Sequence, residues 1–194
     1  MARSTAQAPP RPMRADARRN YERLLAVAHT VFAEQGTGAS LEEVARRAGV
    51  GIGTLYRHFP TREALLEALL NAGFDTLRQQ AEALLESATP RVALAQWLSQ
   101  FAAGTATYRG LTGSVLATAR QEGSALYDSC HGMTAAGERL VVRAQEQGEL
   151  RADVNPTDVL ALAGAVAWVA EQLPDDGDLP GRLLGLVMDG LTRP

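Results

Sequence analysis

The sequence has few of the features that mark secreted or membrane proteins. It contains a single cysteine, Cys130, so a disulfide within the chain is impossible and a reducing environment is expected. The longest apolar run, Val159 to Ala170, has twelve residues, which is too short to span a bilayer. No apolar stretch typical of a signal peptide occurs in the first fifteen residues. We therefore expect a soluble, cytoplasmic protein that has no membrane partner.

Catalytic and metal-binding patterns are also missing. No Ser/His/Asp set, phosphate-binding loop or carboxylate pair has a recognisable spacing. Cys130 and His131 are adjacent, and neighbours on a helix do not face each other, so a catalytic dyad is not expected. His58 has no second His or Cys at the spacing of a metal site. We expect no enzyme activity, no metal and no cofactor.

Lysine is absent, and all 19 basic residues are arginine. Their distribution is uneven. Residues 1–62 hold ten arginines and five acidic residues, a net charge of +5, whereas residues 63–194 carry a net charge of −8. A basic front and an acidic back are expected when only the front of a chain meets phosphate, although chance clustering is an alternative explanation.

The hydrophobic pattern predicts an all-α protein of about nine helices, because apolar residues recur at helical spacing and no convincing period-two strand is present. Residues 1–15 are rich in Pro and Arg and are predicted to be a disordered arm, with a minor-groove contact as the alternative. Residues 16–60 are predicted to form a small DNA-binding domain, and residues 61–194 a larger helical domain. The predicted helices cover about residues 16–35, 41–48, 52–58, 61–87, 90–108, 112–120, 124–147, 156–173 and 180–191.

The most specific local pattern lies in residues 40–62. Ser40 and Glu43 have the spacing of a capping box, in which each side chain bonds the backbone N–H of the other residue. Gly49 suits the left-handed end of the first helix, and Pro60 ends the second helix. The short turn between them holds the second helix at a steep angle. This arrangement predicts a helix-turn-helix unit, whose second helix enters the major groove of DNA.

The second helix of this unit carries several residues suited to DNA. Tyr56 and His58 would bond phosphate oxygens, with half-buried cover as the alternative for Tyr56. Thr54 and Arg57 would face base edges, since Arg suits guanine and the Thr methyl suits thymine, and a contact of Arg57 with phosphate alone is equally open. Gly53 would let the backbone come close to DNA.

Two residues outside the second helix complete the predicted DNA-binding set. Arg62 lies in the first turn of the next helix, where it would share a phosphate with the helix start or else be a solvated surface residue. Ser40 is primarily a helix cap, and a phosphate contact is secondary. The full set is Ser40, Gly53, Thr54, Tyr56, Arg57, His58 and Arg62.

Residues 49–63, Gly-Val-Gly-Ile-Gly-Thr-Leu-Tyr-Arg-His-Phe-Pro-Thr-Arg-Glu, closely resemble the recognition-helix signature of TetR-family transcriptional regulators. The match covers residues 16–70, and residues 148–153 also resemble a segment of one actinobacterial-type branch of that family. The resemblance implies an all-helical homodimer whose first three helices bind DNA and whose remaining helices hold a small-molecule cavity. It also implies that the last two helices form the dimer contact. Gly51 departs from the family pattern, because many relatives have a Ser cap there, but Gly is nearly as tolerable at this position.

The resemblance directs attention to two further sets of residues. Aromatic and Met side chains in the back half suit a ligand pocket, with an ordinary hydrophobic core as the stronger alternative. The segment Val159–Ala170, apolar all round, and the Gly-rich last helix suit a four-helix dimer interface, with burial inside one monomer as the alternative. The candidate pocket residues are Trp97, Phe101, Tyr108, Tyr127, Met133 and Trp168. The candidate interface residues are Ala161, Gly164, Ala165, Leu183, Gly185, Leu186 and Val187.

These patterns together predict a ligand-responsive regulator of transcription, in which a small molecule releases a repressor dimer from a palindromic DNA operator. The predicted helix over residues 61–87 would couple the two halves, which requires that the ligand bind the two conformations unequally. Two alternatives are kept: an all-helical enzyme that uses a cavity near Trp97 and His131, and a module that binds another protein through its first three helices.

Overall fold

The computed structural model describes residues 11–106, 113–173 and 178–192. Over these ranges the protein consists of nine α-helices and has no β-strand, which confirms the all-α prediction. The helices are α1 (Arg11–Gln35), α2 (Leu41–Arg47), α3 (Ile52–His58), α4 (Arg62–Leu84), α5 (Pro90–Ala106), α6 (Gly113–Thr118), α7 (Ala125–Glu146), α8 (Pro156–Gln172) and α9 (Leu179–Leu191).

The first helix is longer than the sequence predicts. It begins at Arg11, so the expectation of a disordered arm over residues 1–15 is wrong for residues 11–15, and residues 1–10 lie outside the described ranges. The physical reason is the position of Pro12. Proline is tolerated in the first turn of a helix, because that turn has no use for the backbone N–H that proline lacks.

Local capping sets the starts of several helices, as the sequence predicts. The Thr61 hydroxyl accepts the backbone N–H of Ala64 at 3.1 Å, and the Asn155 side chain accepts the N–H of Thr157 at 3.0 Å, with Pro156 directly after this cap. Gly49 follows α2 with a φ of +65°, the left-handed conformation that glycine adopts without strain. The turn at Gly49 leaves only a short connection between α2 and α3, as in a helix-turn-helix.

Hydrophobic packing divides the described residues into two clusters. The front cluster joins α1, α2 and α3 to the first half of α4, and it also takes in Val115 of α6 and Leu126 of α7. The back cluster contains the second half of α4 together with α5, α7, α8 and α9. Phe74 packs against both clusters. The predicted domain boundary falls after residue 60, whereas the packing passes from one cluster to the other within α4.

Trp97 lies at the centre of the back cluster. Its side chain is fully buried, its indole N–H donates to the Leu77 carbonyl at 2.8 Å, and its ring stacks on Phe101 with centroids 5.7 Å apart. Gly137 of α7 makes room for this ring, because a Cβ at that position would lie 2.4 Å from a ring carbon of Trp97. The back half is therefore a helical bundle in which α4, α5 and α7 close around one large aromatic side chain.

None of the helices in the described ranges is long and apolar enough to cross a membrane.

Candidate nucleic-acid interface

Buried apolar residues anchor α3, the second helix of the helix-turn-helix, to the front cluster. Leu55 on α3 is fully buried and Phe59, just after the helix, is almost so, and both belong to the front cluster. Gly51 occupies the N-cap position with φ −70° and ψ 148°, and no side chain caps the helix start. Because one side of a seven-residue helix is anchored by Leu55, the opposite side is presented to solvent.

That outer side, which we call the α3 surface, consists of Gly53, Thr54, Tyr56, Arg57 and His58. Tyr56 is 45% exposed, Gly53 and Arg57 are exposed, and Thr54 and His58 are half-buried. A Cβ added at Gly53 would meet no atom within 4 Å, so the backbone there is open to a close approach. Arg57 forms no hydrogen bond or ion pair within the described part of the chain, which leaves its guanidinium available to a partner. The structure thus brings these five predicted residues together.

The α3 surface has a neighbour that the sequence prediction missed. The ring of Tyr21, on α1, meets the His58 ring edge-on at a centroid distance of 6.0 Å and lies 5.0 Å from the Phe59 ring. Tyr21 therefore holds the His58 ring at the C-terminal end of α3. The signal in the sequence is the spacing of Tyr21 from Leu24, Leu25 and Ala28, which places it at one end of the apolar stripe of α1.

Ser40 is engaged within the protein. Its hydroxyl accepts the backbone N–H of Glu43 at 3.4 Å, which is the capping half of the predicted box, and donates to the Glu42 carboxylate at 2.6 Å. The reciprocal half is wrong, because the Glu43 carboxylate bonds Arg46 and Arg47 instead of reaching back to the Ser40 N–H. With its proton directed to Glu42, the Ser40 hydroxyl has none left for a phosphate oxygen in this arrangement.

The acidic residues at the start of α2 are held in their charged form. The Ser40 hydroxyl lowers the pKa of Glu42, with smaller contributions from the backbone N–H of Glu42 and the charge of Arg62. Hydrogen bonds from Arg46, and then from Arg47, lower the pKa of Glu43 to about 2. The surface near α2 therefore carries carboxylates beside its arginines.

The positive charge of the front half is partly neutralised within the chain. Arg47 bridges Glu43 and Glu34, each at 2.7 Å, and so ties α2 to α1. Arg18 pairs with Glu22, and Arg19 pairs with Asp16, along the exposed side of α1. The net charge of +5 that the sequence suggests is thus not all available to phosphate, and Arg57 stands out because it is unpaired within the described residues.

Arg62 is placed differently from the prediction. Its Nη1 donates to the backbone carbonyls of Thr37, at 2.8 Å, and Ala39, at 2.6 Å, in the turn between α1 and α2. The residue is half-buried, so it is not a solvated surface arginine. A phosphate contact for Arg62 stays a prediction, and its observed bonds are internal.

The five candidate pocket residues within the described ranges differ in their surroundings. Trp97 and Met133 are packed in the back cluster, with Phe101 against it. Tyr127 is half-buried, and its ring centroid lies 3.9 Å from that of His131. Trp168 is 62% exposed on the outside of α8, and Tyr108 lies outside the described residues. Helical spacing finds aromatic stripes, but the docking of helices decides which stripes meet.

The outer sides of α8 and α9 form an exposed apolar surface, which we call the α8–α9 surface. Leu162, Trp168, Leu173 and Leu186 are its large members, and Leu186 is 69% exposed. Four of the candidate interface residues are exposed, whereas Leu183 and Val187 pack partly against the back cluster and Gly164 is half-buried. This set comprises Ala161, Gly164, Ala165, Leu183, Gly185, Leu186 and Val187.

Comparison with known proteins agrees with this architecture. Residues 89–193 match the family described as "Transcriptional regulator SbtR-like, C-terminal domain", and residues 24–69 match "Bacterial regulatory proteins, tetR family". A TetR transcriptional regulator of Streptomyces coelicolor is 37% identical with a TM-score of 0.72, over 89% of this chain and 98% of that one. A TetR transcription regulatory protein of Mycobacterium vanbaalenii is 32% identical with a TM-score of 0.69, over 94% of this chain and 100% of that one.

Curated relatives match over a shorter part of the chain. An HTH-type transcriptional regulator of Staphylococcus aureus is 38% identical over 64 residues, which is 32% of this chain. The matched part spans 35%, or about a third, of the length of that relative.

Proposed function

Because the chain belongs to the TetR family of bacterial transcriptional regulators, we propose that it acts as a homodimeric repressor that a small molecule releases from a palindromic operator. Membership makes it a regulator of transcription and not an enzyme. The α3 surface supports DNA binding. It lies on a short helix that is anchored on its buried side and exposes a Tyr and an unpaired Arg, and such a helix fits the major groove of DNA.

The DNA contacts divide into positioning and reading. Tyr56 and His58 bond phosphate oxygens and set the register of α3, and Tyr21 steadies the His58 ring. Arg57 and Thr54 face base edges, where a guanidinium pairs with guanine and a methyl group packs on thymine. Gly53 lets the helix approach closely, because nothing occupies the space where a side chain would stand.

Two copies associate through the α8–α9 surface. Large apolar side chains such as Trp168 and Leu186 are costly to leave in water, and a self-complementary surface that buries them produces a two-fold dimer. A two-fold dimer presents two α3 surfaces, so its operator is a palindrome whose half-sites follow the spacing of the two helices.

The effector binds in the back half, near the junction of α4 and α5. Asn71 of α4 and Gln100 of α5 each have a buried side-chain oxygen with no hydrogen-bond partner among the described residues. Buried acceptors without partners are costly, and a ligand that donates hydrogen bonds would satisfy them. The binding free energy is then available to favour one conformation of the bundle over another.

α4 couples the effector site to the α3 surface, and α6 reinforces this coupling. α4 contributes to both clusters, and the Thr118 hydroxyl at the end of α6 donates to Glu67 of α4 at 2.9 Å. A ligand that shifts α4 therefore changes the angle of the two α3 surfaces. A coupling free energy of about 1–3 kcal/mol is typical of such systems, and it requires unequal binding to the two conformations.

Selection of duplexes from a random pool by the purified, full-length protein tests the DNA-binding proposal. We expect enrichment of an inverted repeat with half-sites separated by about one helical turn or a multiple of it. The same selection with Arg57→Ala should lose preference at one symmetric base position. Failure to enrich any sequence, even at low salt, would contradict the proposal, and it would favour the alternative in which the front helices bind another protein.

A further inference from the structure

We infer that Arg62 is a positioning residue that joins α4 to the α1–α2 turn, and that it is not itself a phosphate ligand. Its Nη1 carries two hydrogens, and both have an acceptor: the carbonyl of Thr37 at 2.8 Å and that of Ala39 at 2.6 Å. Residues 37 and 62 are far apart in the sequence, so this contact is a tertiary one. The inference rests on the proposed DNA-binding function.

The turn that Arg62 holds is buried. Thr37 and Ala39 are each less than a tenth exposed, and a buried carbonyl that loses its donor is costly. Ser40 follows directly and caps α2, and α2 in turn packs against α3. The orientation of the α3 surface relative to α4 therefore depends in part on one guanidinium.

The charge of Arg62 also has a neighbour inside the protein. It contributes to lowering the pKa of Glu42, whose carboxylate receives the Ser40 hydroxyl at 2.6 Å. Glu42 is therefore close enough for the charge of Arg62 to act on it, although the Ser40 hydroxyl acts more strongly.

As a consequence, α4 and the helix-turn-helix move together. The first residue of α4 is bonded to the turn that precedes α2, so a displacement of α4 by effector is passed to α2 and α3 rather than absorbed in the turn between α3 and α4. Arg62 acts on DNA only through the residues it positions.

Binding titrations over a range of salt concentrations separate positioning from direct contact. The probe is the duplex selected by the wild-type protein, and the variants are Arg62→Met, Arg62→Lys and the matched control Arg57→Met. Removing an arginine that neutralises a phosphate reduces the slope of log affinity against log salt by about one, whereas Arg57→Met, which removes a base-facing arginine, should lower affinity for the selected duplex with the slope little changed. Arg62→Met should weaken binding by about tenfold, the effect of losing charge-assisted hydrogen bonds, while its slope stays that of the wild type.

The lysine variant sharpens this test. Lysine keeps the positive charge but not the planar geometry of the guanidinium, so under positioning it restores affinity only in part and leaves the slope unchanged. A slope that falls by about one in Arg62→Met, together with full recovery of affinity and slope in Arg62→Lys, would overturn the inference in favour of a phosphate contact. Unchanged affinity in Arg62→Met would overturn it as well.

Hydrogen exchange on the free, full-length protein gives a readout that does not depend on DNA. In both Arg62 variants the amides of residues 37–43 should exchange at least about tenfold faster, while those of α7 keep the wild-type rate. Equal exchange over residues 37–43 would show that Arg62 does not hold the turn. If the wild-type protein selects no duplex, the proposed function fails, and this measurement still decides whether Arg62 fixes the α1–α2 turn.

Discussion

The α3 surface and the α8–α9 surface are both exposed on the same chain, but their chemistry is opposite. The first carries a phenol, an imidazole and an unpaired guanidinium, all of which are well solvated in water. The second carries Trp168 and several leucines, which lose free energy for as long as water covers them. Exposure alone therefore says little about a partner. The polar surface is suited to a charged partner that binds and leaves, and the apolar surface to one that stays.

The two surfaces also differ in how they are supported. The α3 surface is part of a seven-residue helix held by Leu55, by the Tyr21 ring and, through the α1–α2 turn, by Arg62. The α8–α9 surface belongs to two long helices packed on a bundle with Trp97 at its centre. Few contacts hold the α3 surface in place, whereas many hold the α8–α9 surface, so we expect small changes to affect the first and only large ones the second.

The largest effect is expected from a charge on the α8–α9 surface. Leu186→Glu should raise the dimer dissociation constant by about 100-fold or more, because an unpaired charge in an apolar interface costs about 3–5 kcal/mol. Sedimentation at micromolar concentration measures the shift from dimer to monomer. Val92→Glu is the matched control, since Val92 is a 61% exposed apolar residue on α5. Dimers that persist in Leu186→Glu would place the interface elsewhere.

A substitution in the core should lower the free energy of unfolding of the whole protein. Gly137→Ala places a Cβ against the rigid Trp97 ring, and overpacking of this kind costs about 1–3 kcal/mol of unfolding free energy. Denaturant titration measures this loss. Gly73→Ala on α4 is the control, because a Cβ there meets nothing within 4 Å and alanine favours a helix. Stability that is equal to the wild type in Gly137→Ala would show that the bundle can open around Trp97.

A smaller effect is expected from one hydroxyl on the α3 surface. Tyr56→Phe should weaken binding to every duplex by about 0.5–1.5 kcal/mol, the usual net contribution of a hydrogen bond, and leave the dimer intact. Fluorescence anisotropy with the selected duplex and with an unrelated duplex measures this. Tyr127→Phe in the back half serves as the control. A loss confined to the selected duplex would assign Tyr56 to base reading instead of phosphate binding.

The smallest effect concerns one carboxylate in each half. Hydrogen bonds from Arg46 and from Arg151 lower the pKa values of Glu43 and Asp153, each to about 2, from ordinary values of 4.5 and 3.8. A lowered pKa stabilises the folded state above the ordinary pKa, and this contribution disappears as the pH falls towards 2. The melting temperatures of Glu43→Gln and Asp153→Asn should therefore lie below that of the wild type at pH 6 and approach it near pH 2.

A third carboxylate provides the control for this pH series. Glu122 is exposed and forms no ion pair within the described residues. Glu122→Gln should leave the melting temperature close to that of the wild type at each pH. A constant difference between wild type and Glu43→Gln from pH 6 to pH 2 would contradict the assignment of this carboxylate to the arginine pair.

Most of the local structure could be predicted from the sequence, because it depends on residues three or four positions apart. The caps at Thr61 and Asn155 and the left-handed Gly49 are all of this kind. Each follows from an interaction that closes within one helical turn. The starts of α4 and α8 and the end of α2 follow from such signals.

Contacts between distant parts of the chain could not be predicted in the same way. Such contacts form only when helices pack together. Examples are the hydrogen bond from Arg62 to the Thr37 carbonyl, the contact of the Tyr21 ring with His58 and the packing of Trp97 against Gly137. Local hydrogen bonds can also compete with one another. The Glu43 carboxylate bonds two arginines on the same helix instead of the Ser40 N–H. For this reason the predicted pocket residues within the described ranges are divided between core and surface.

The two tryptophans give the protein a built-in pair of optical reporters. Trp97 is buried in the bundle and donates its indole N–H to a carbonyl, whereas Trp168 is exposed to solvent. Their fluorescence should therefore differ. Trp97 should emit at shorter wavelength and resist quenching by acrylamide, and Trp168 should emit at longer wavelength and be quenched. Self-association through α8 and α9 would shield Trp168 and leave the emission of Trp97 unchanged, so the unlabelled chain can report its own pairing.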